Sequence, residues 1–219
     1  MNYLAYTVRF LVILLWTALP ALAHAAPDQP AVLVVGDSLS AAYGIPQKAG
    51  WVSLLQKRLA DQRYPHQVIN ASISGETTSG GLARLSRVLD SAQPSVVIIE
   101  LGGNDGLRGL PLASVRSNLA AMIERSLARD AQVLLVGMRL PPNYGPAYVK
   151  RFHQIYIDLA KQYRVPLLPF LLEGIAEKEH LLQEDRLHPR AEAQETIMEL
   201  VWQALEPMLR KNVTALSMP

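Results

Sequence analysis

Ser38 lies in the run Gly36-Asp37-Ser38-Leu39-Ser40, directly after the apolar stretch Ala31 to Val35. A serine placed just past the carboxyl end of such a stretch sits where an open α/β sheet presents side chains to a ligand. Its hydroxyl becomes a nucleophile when a base takes the proton and a third group holds that base in the right tautomer. His66 follows Pro65 in a polar turn, His153 falls in a helical pattern beside Arg151 and Gln154, and His180 follows the charged stretch Glu177 to Glu179. These three read as surface or packing residues. His188 precedes Pro189, which biases it towards an extended backbone, and it stands just ahead of the last helical pattern. Asp185, three residues earlier, can reach its Nδ1 across a tight turn and so aim Nε2 at Ser38. Taken alone, the pair could equally cap a turn, plug a loop or form half of a metal site.

Acyl transfer also needs donors fixed where the oxyanion forms. The backbone N–H of Ser38, the backbone N–H of Gly75 and the side-chain amide of Asn104, which follows Gly102 and Gly103, are the candidates. The glycines by themselves suit ordinary turns. Ser40 occupies the place of the second glycine in the Gly-x-Ser-x-Gly elbow of α/β-hydrolases, and no Gly-x-Gly-x-x-Gly dinucleotide fingerprint is present. Asp37 is expected to cap or hold the nucleophile loop without direct chemistry.

Five strand-like runs, Ala31 to Val35, Gln67 to Asn70, Val96 to Leu101, Gln132 to Val136 and Val165 to Leu168, must position these groups. Helical patterns alternate with them over Gly50 to Gln62, Ser79 to Asp90, Leu112 to Arg129, Pro146 to Tyr163 and Ala191 to Leu209. Such alternation predicts an α/β fold, a flavodoxin-like three-layer α/β/α sandwich around a five-stranded parallel sheet of order 2-1-3-4-5. In that order the loops carrying Ser38, Gly75 and Asn104 follow neighbouring strands. The Pro- and Gly-rich segment Leu140 to Pro146 reads as an ordered loop at the same edge, with Leu140, Pro141 and Tyr144 as candidate walls of an acyl site.

Residues 1–25 have the form of a signal peptide: Arg9, an apolar core from Phe10, a break at Pro20, and Ala23 and Ala25 flanking His24. Cleavage after Ala25 leaves residues 26–219 as one domain, exported to the periplasm or beyond and without a stable membrane anchor after processing. The apolar core is short for a bilayer, which needs about 20 apolar residues. With 21 basic and 19 acidic side chains there is no electrostatic case for a nucleic-acid partner. The absence of cysteine rules out thiol catalysis and disulfide stapling.

The residues Ser38, Gly75, Asn104 and His188, with the blocks Ala71 to Thr77 and Glu100 to Gly109, make the chain similar to the SGNH, or GDSL, hydrolases. The resemblance runs from about Val32 to Pro207. It implies a Ser38, His188, Asp185 triad, an oxyanion hole from Ser38, Gly75 and Asn104, no metal and no cofactor. It also implies a broad range of acyl thioesters, aryl and alkyl esters and lysophospholipids as small-molecule substrates. Two alternatives stand beside it: a carbohydrate O-acetylesterase on the same machinery, and a flavodoxin-like binding module without turnover. A monomer is expected.

Overall fold

A computed structural model describes residues 29–216; the signal-peptide reading of residues 1–25 lies outside them. Strand β1 (Ala31–Gly36) is apolar throughout and wholly buried, as a central parallel strand covered on both faces must be. It pairs with β2 (Gln67–Asn70) on one side and with β3 (Val96–Glu100) on the other, and β4 (Gln132–Val136) and β5 (Leu167–Leu168) extend the sheet beyond β3. All pairs are parallel and the order is β2-β1-β3-β4-β5, as the alternating pattern predicts.

Right-handed crossovers from a chain that steps first one way and then the other along the sheet put its helices on opposite faces. Accordingly α1 (Trp51–Asp61) packs with α6 (Gln194–Leu216), while α2 (Thr78–Ala92) packs on α4 (Leu112–Leu127) and α4 on α5 (Pro146–Tyr163). The buried face of α1, Trp51, Val52, Leu55 and Leu59, repeats at helical spacing and meets Ile197, Val201 and Leu205 of α6 in one hydrophobic core. Thr77 caps α2 by accepting the N–H of Gly80 at 3.3 Å.

Three elements differ from the sequence expectation. The fifth strand is two residues long and flanked by Pro166 and Pro169, which have no N–H for a ladder; the Pro166 and Leu168 carbonyls accept from Leu135 and Gly137. A short helix, α3 (Gly103–Leu107), forms where a glycine-rich loop was expected. Ahead of the last helix, Ala191–Ala193 make a separate 3-10 turn, and α6 starts at Gln194, whose side chain accepts the N–H of Trp51 at 3.0 Å.

His66 lies in the turn before β2 but is only 3% exposed, and among the described residues neither ring nitrogen has a hydrogen-bond partner. Burial pushes its pKa below the ordinary value. The unfolded chain therefore binds a proton there more readily than the folded one, so His66 makes stability fall as pH drops below about 6.5. Buried carboxyls that titrate high act with the opposite sign, so His66 is isolated by difference. The unfolding free energy of the wild type minus that of His66→Phe should fall from pH 7.5 to pH 5, whichever of the two is the more stable at the start. A gap that does not depend on pH would contradict this.

Candidate active site

The loops after β1, β2 and β3 leave neighbouring strands at one edge of the sheet, with Gly36 level with Glu100 and Val34 level with Asn70. After β1 the chain turns at once: Ala41 N–H donates to the Asp37 carbonyl at 3.0 Å and Tyr43 N–H to the Ser38 carbonyl at 3.2 Å. Ser38 is thereby held at the start of a tight turn. A β-carbon on Gly36 would lie 2.5 Å from Oε2 of Glu100, so only glycine lets β1 pass over that side chain.

The segment bearing Asp185 and His188 is clamped to this turn. Leu182 and Pro189 form an antiparallel bridge, Gln183 N–H donates to the His188 carbonyl at 2.8 Å, and Gln183 Nε2 donates to the Tyr43 carbonyl at 2.8 Å. Between them the chain reverses with Arg186 at φ 56°. Oδ1 of Asp185 accepts the N–H groups of Leu187 and His188 at 2.9 and 3.0 Å, and Oδ2 lies 2.6 Å from His188 Nδ1. His188 Nε2 lies 2.8 Å from Ser38 Oγ. Burial pushes the Asp185 carboxyl up, but the His188 and Leu187 N–H bonds and the imidazole outweigh it and hold the pKa below the ordinary value. The Tyr43 ring packs against the imidazole with centroids 4.5 Å apart.

The donors come from the other two loops. Gly75 adopts φ 78°, and its carbonyl accepts from Arg108 Nη2 at 3.1 Å. Asn104 projects from the first turn of α3, which Gly102 enters at φ 115°; a β-carbon there would overlap the Tyr156 hydroxyl. Asp105, 2% exposed, accepts the N–H and hydroxyl of Thr78 at 2.9 and 2.6 Å and so fastens the start of α2 to α3. Among the described residues the N–H groups of Ser38 and Gly75 have no acceptor within the protein, and Asn104 Nδ2 gives one bond, to Oδ2 of Asp37 at 3.0 Å. Ser38, Gly75, Asn104 and His188 all border one cleft of about 540 Å³.

Leu140 and Pro141 also line the cleft, together with Leu107, Met138, Phe170 and Leu172. Tyr144 does not. It lies outside the lining, 38% exposed, and its hydroxyl donates to the Leu107 carbonyl at 3.0 Å, because the Pro142–Tyr144 turn points the ring along α3. The bond gives Tyr144 a place behind the wall in place of the expected one on it. Gln183, Asp105 and Glu100 also belong to the site, though no motif in the sequence marks the first two. Glu100 had a visible signal, an acid ending an apolar strand. It is fully buried, accepts the Ser40 hydroxyl at 2.6 Å and the Asp37 N–H at 3.2 Å, and burial drives its pKa well up. Among the described residues no cluster of three or more His, Asp or Glu side chains is placed to hold a metal ion.

A parallel α/β/α sheet with a serine, an imidazole and a carboxylate in hydrogen-bonded series at its carboxyl edge defines a hydrolase of the flavodoxin-like kind. The chain belongs to the GDSL-like Lipase/Acylhydrolase family, which residues 34–196 match. It is 51% identical to Esterase TesA of Pseudomonas aeruginosa over 178 residues, 81% of this chain and 89% of that one. It is 44% identical to an arylesterase of Vibrio mimicus, covering 90% of this chain and 98% of that one. It is 41% identical to the thioesterase 1/protease 1/lysophospholipase L1 of Escherichia coli K12, covering 83% and 86%. Among solved structures, that of TesA superposes with a TM-score of 0.80 at 50% identity, covering 81% of this chain and 99% of that one. The psychrotrophic esterase EstA of Pseudoalteromonas sp., in a structure inhibited by monoethylphosphonate, gives 0.79 at 41% identity, covering 83% and 100%.

Proposed function

We propose that the chain hydrolyses carboxylic esters and acyl thioesters of broad structure through an acyl-enzyme on Ser38. The observation that carries this is the unbroken series from Asp185 through His188 to Ser38, at 2.6 and 2.8 Å, opening on a cleft walled by Leu107, Leu140, Pro141 and Phe170. Ser38 Oγ attacks the acyl carbon while His188 Nε2 takes its proton; Asp185 holds the proton on Nδ1 and stabilises the imidazolium. The carbonyl oxygen gains negative charge against the N–H groups of Ser38 and Gly75 and the Asn104 amide. His188 then gives its proton to the leaving alkoxide or thiolate. In the second half it deprotonates water, which attacks the acyl carbon and releases the acid and the Ser38 hydroxyl.

The names of the relatives and the apolar wall support aryl esters, alkyl esters, thioesters and lysophospholipids over carbohydrate acetates, whose acyl group would leave that wall unused. No helix among the described residues is long and apolar enough to cross a membrane, and the leader-like residues 1–25 support export by cleavage after Ala25. The test is kcat/KM over matched esters and thioesters from two to twelve acyl carbons. The expected result is turnover of both classes, rising from the acetyl substrates to longer chains as apolar area is buried. Turnover confined to acetylated sugars would overturn the reading.

A further inference from the structure

We propose that Tyr43 is a specificity-determining residue for the leaving group: its ring is a platform beside His188 on which a planar aryl alcohol or thiol stacks as it departs. The inference deepens the ester-hydrolase reading and rests on it. An acyl carbon bonded to Ser38 Oγ carries three other groups. Its oxygen is taken by the N–H groups of Ser38 and Gly75 and the Asn104 amide, and its acyl chain by the wall of Leu107, Leu140 and Phe170. The leaving atom must lie within about 3 Å of His188 Nε2, because the imidazole that took the serine proton hands it on to that atom. Whatever the atom carries therefore comes to rest beside the imidazole. Among the described residues the Tyr43 ring is the aromatic group packed there, its centroid 4.5 Å from that of His188 and its plane tilted by 41°. An aryl ring carried on an atom in contact with Nε2 falls within the roughly 4.5 to 7 Å at which aromatic pairs attract.

Tyr43 is fixed at its backbone and open at its ring. Its N–H donates to the Ser38 carbonyl at 3.2 Å and its carbonyl accepts from Gln183 Nε2 at 2.8 Å, so the nucleophile turn and the histidine segment together set its place. The residue borders the cleft, is 52% exposed, and its hydroxyl makes no hydrogen bond among the described residues. An aromatic face left in water is a standing cost, which a flat ligand relieves by covering it. Tyr43 also borders a second cavity of about 500 Å³, with Gly44, Gln183 and Arg190, which leaves the released alcohol room away from the acyl wall. Two cations line the cleft as well, but each already faces a carboxylate: Arg139 meets Glu173 at 3.3 Å and Arg186 meets Glu179 at 3.7 Å. The recognition on offer beside His188 is therefore a ring face and not an unbalanced charge.

The test compares Tyr43→Ala and Tyr43→Phe with the wild type on two esters of one fatty acid: a phenyl ester, and a fluoroalkyl ester whose alcohol is about as acidic as phenol. Steady-state kcat/KM reports acylation, and single-turnover decay of the acyl-enzyme reports deacylation. Tyr43→Ala should lower kcat/KM about three- to tenfold for the phenyl ester and less than about twofold for the fluoroalkyl ester. Deacylation should stay within about twofold, because the leaving group has gone by then and both esters give the same acyl-enzyme. Tyr43→Phe keeps the ring face and should stay within about twofold of the wild type throughout. A ring that only holds His188 in place would slow both esters and deacylation alike, since the imidazole acts in both halves of the reaction; that result would overturn the proposal. So would a loss in Tyr43→Phe as large as that in Tyr43→Ala. If Tyr43→Ala fails to fold, Tyr43→Leu, which keeps bulk against the imidazole without a π face, is read in the same way. A wild type that turns over neither ester would overturn the hydrolase reading and this inference together; a wild type that hydrolyses both, with equal losses in the variant, would overturn this inference alone.

Discussion

Ser38→Ala is expected to lower kcat for ester hydrolysis by about 10⁴-fold or more. In the proposed reaction the hydroxyl oxygen bonds to the acyl carbon, and among the described residues no other side chain stands within hydrogen-bond reach of His188 Nε2 to replace it. The variant should fold as the wild type does, with its thermal midpoint changed by no more than about 2 °C. Among the described residues Ser38 Oγ bonds to the imidazole alone, and Ser38 borders an open cleft, so removal of the hydroxyl leaves no buried group without a partner. Measuring kcat beside the thermal midpoint separates loss of chemistry from loss of fold. A variant retaining a tenth of wild-type kcat would count against a covalent role for Ser38.

Asp185→Asn is expected to cost on the order of 10³- to 10⁴-fold in kcat, and the reason lies in the turn geometry. Oδ1 is occupied by the N–H groups of Leu187 and His188, at 2.9 and 3.0 Å, so an asparagine keeps its oxygen there and turns Nδ2 towards His188 Nδ1. A donor at that position selects the tautomer whose proton sits on Nε2. Nε2 then faces Ser38 Oγ as a donor and cannot take its proton. KM should stay near the wild-type value, because Asp185 is not among the residues that border the cleft. An asparagine variant within tenfold of the wild type would mean that the imidazole is oriented by something else, with the Tyr43 ring packed on it the next candidate.

Strand order was legible because each strand is an apolar run and each crossover an amphipathic one, so periodicity alone separates them. The groups of the candidate site were legible for a related reason: each follows a strand end or precedes the last helix, so topology turns sequence distance into proximity. Helix α3 was hidden because four of its residues, Gly103, Asn104, Asp105 and Gly106, are poor helix formers. What makes it a helix is tertiary: Asp105 bound to Thr78, and Gly106 set so tightly under Leu140 and Phe152 that a β-carbon would meet both. Tyr144 was misplaced because exposure and aromaticity say that a ring is near an edge but not which way a 3-10 turn directs it. His66 reads as a turn residue because only the fold shows its neighbours: its ring lies 6.3 Å from that of Tyr64, which in turn meets Trp202 of α6 at 5.5 Å.

The buried carboxyl pair shows how far the chemistry reaches below the surface. The GDSL run reads as a nucleophile with a loop around it. In the fold, Asp37 ties that loop to Asn104, and Ser40 and Gly36 are shaped to sit on Glu100. The turn that presents the serine and the helix that presents the amide are therefore one hydrogen-bonded unit.

The most direct test of the account is reaction of the folded chain with a fluorophosphonate, followed by mass spectrometry of the peptides. The expected product carries one phosphonyl group per chain, on Ser38, with loss of ester turnover in proportion to labelling and no adduct in the Ser38→Ala variant. Full turnover with Ser38 unmodified, or an adduct on another residue that tracks the loss of activity, would contradict it.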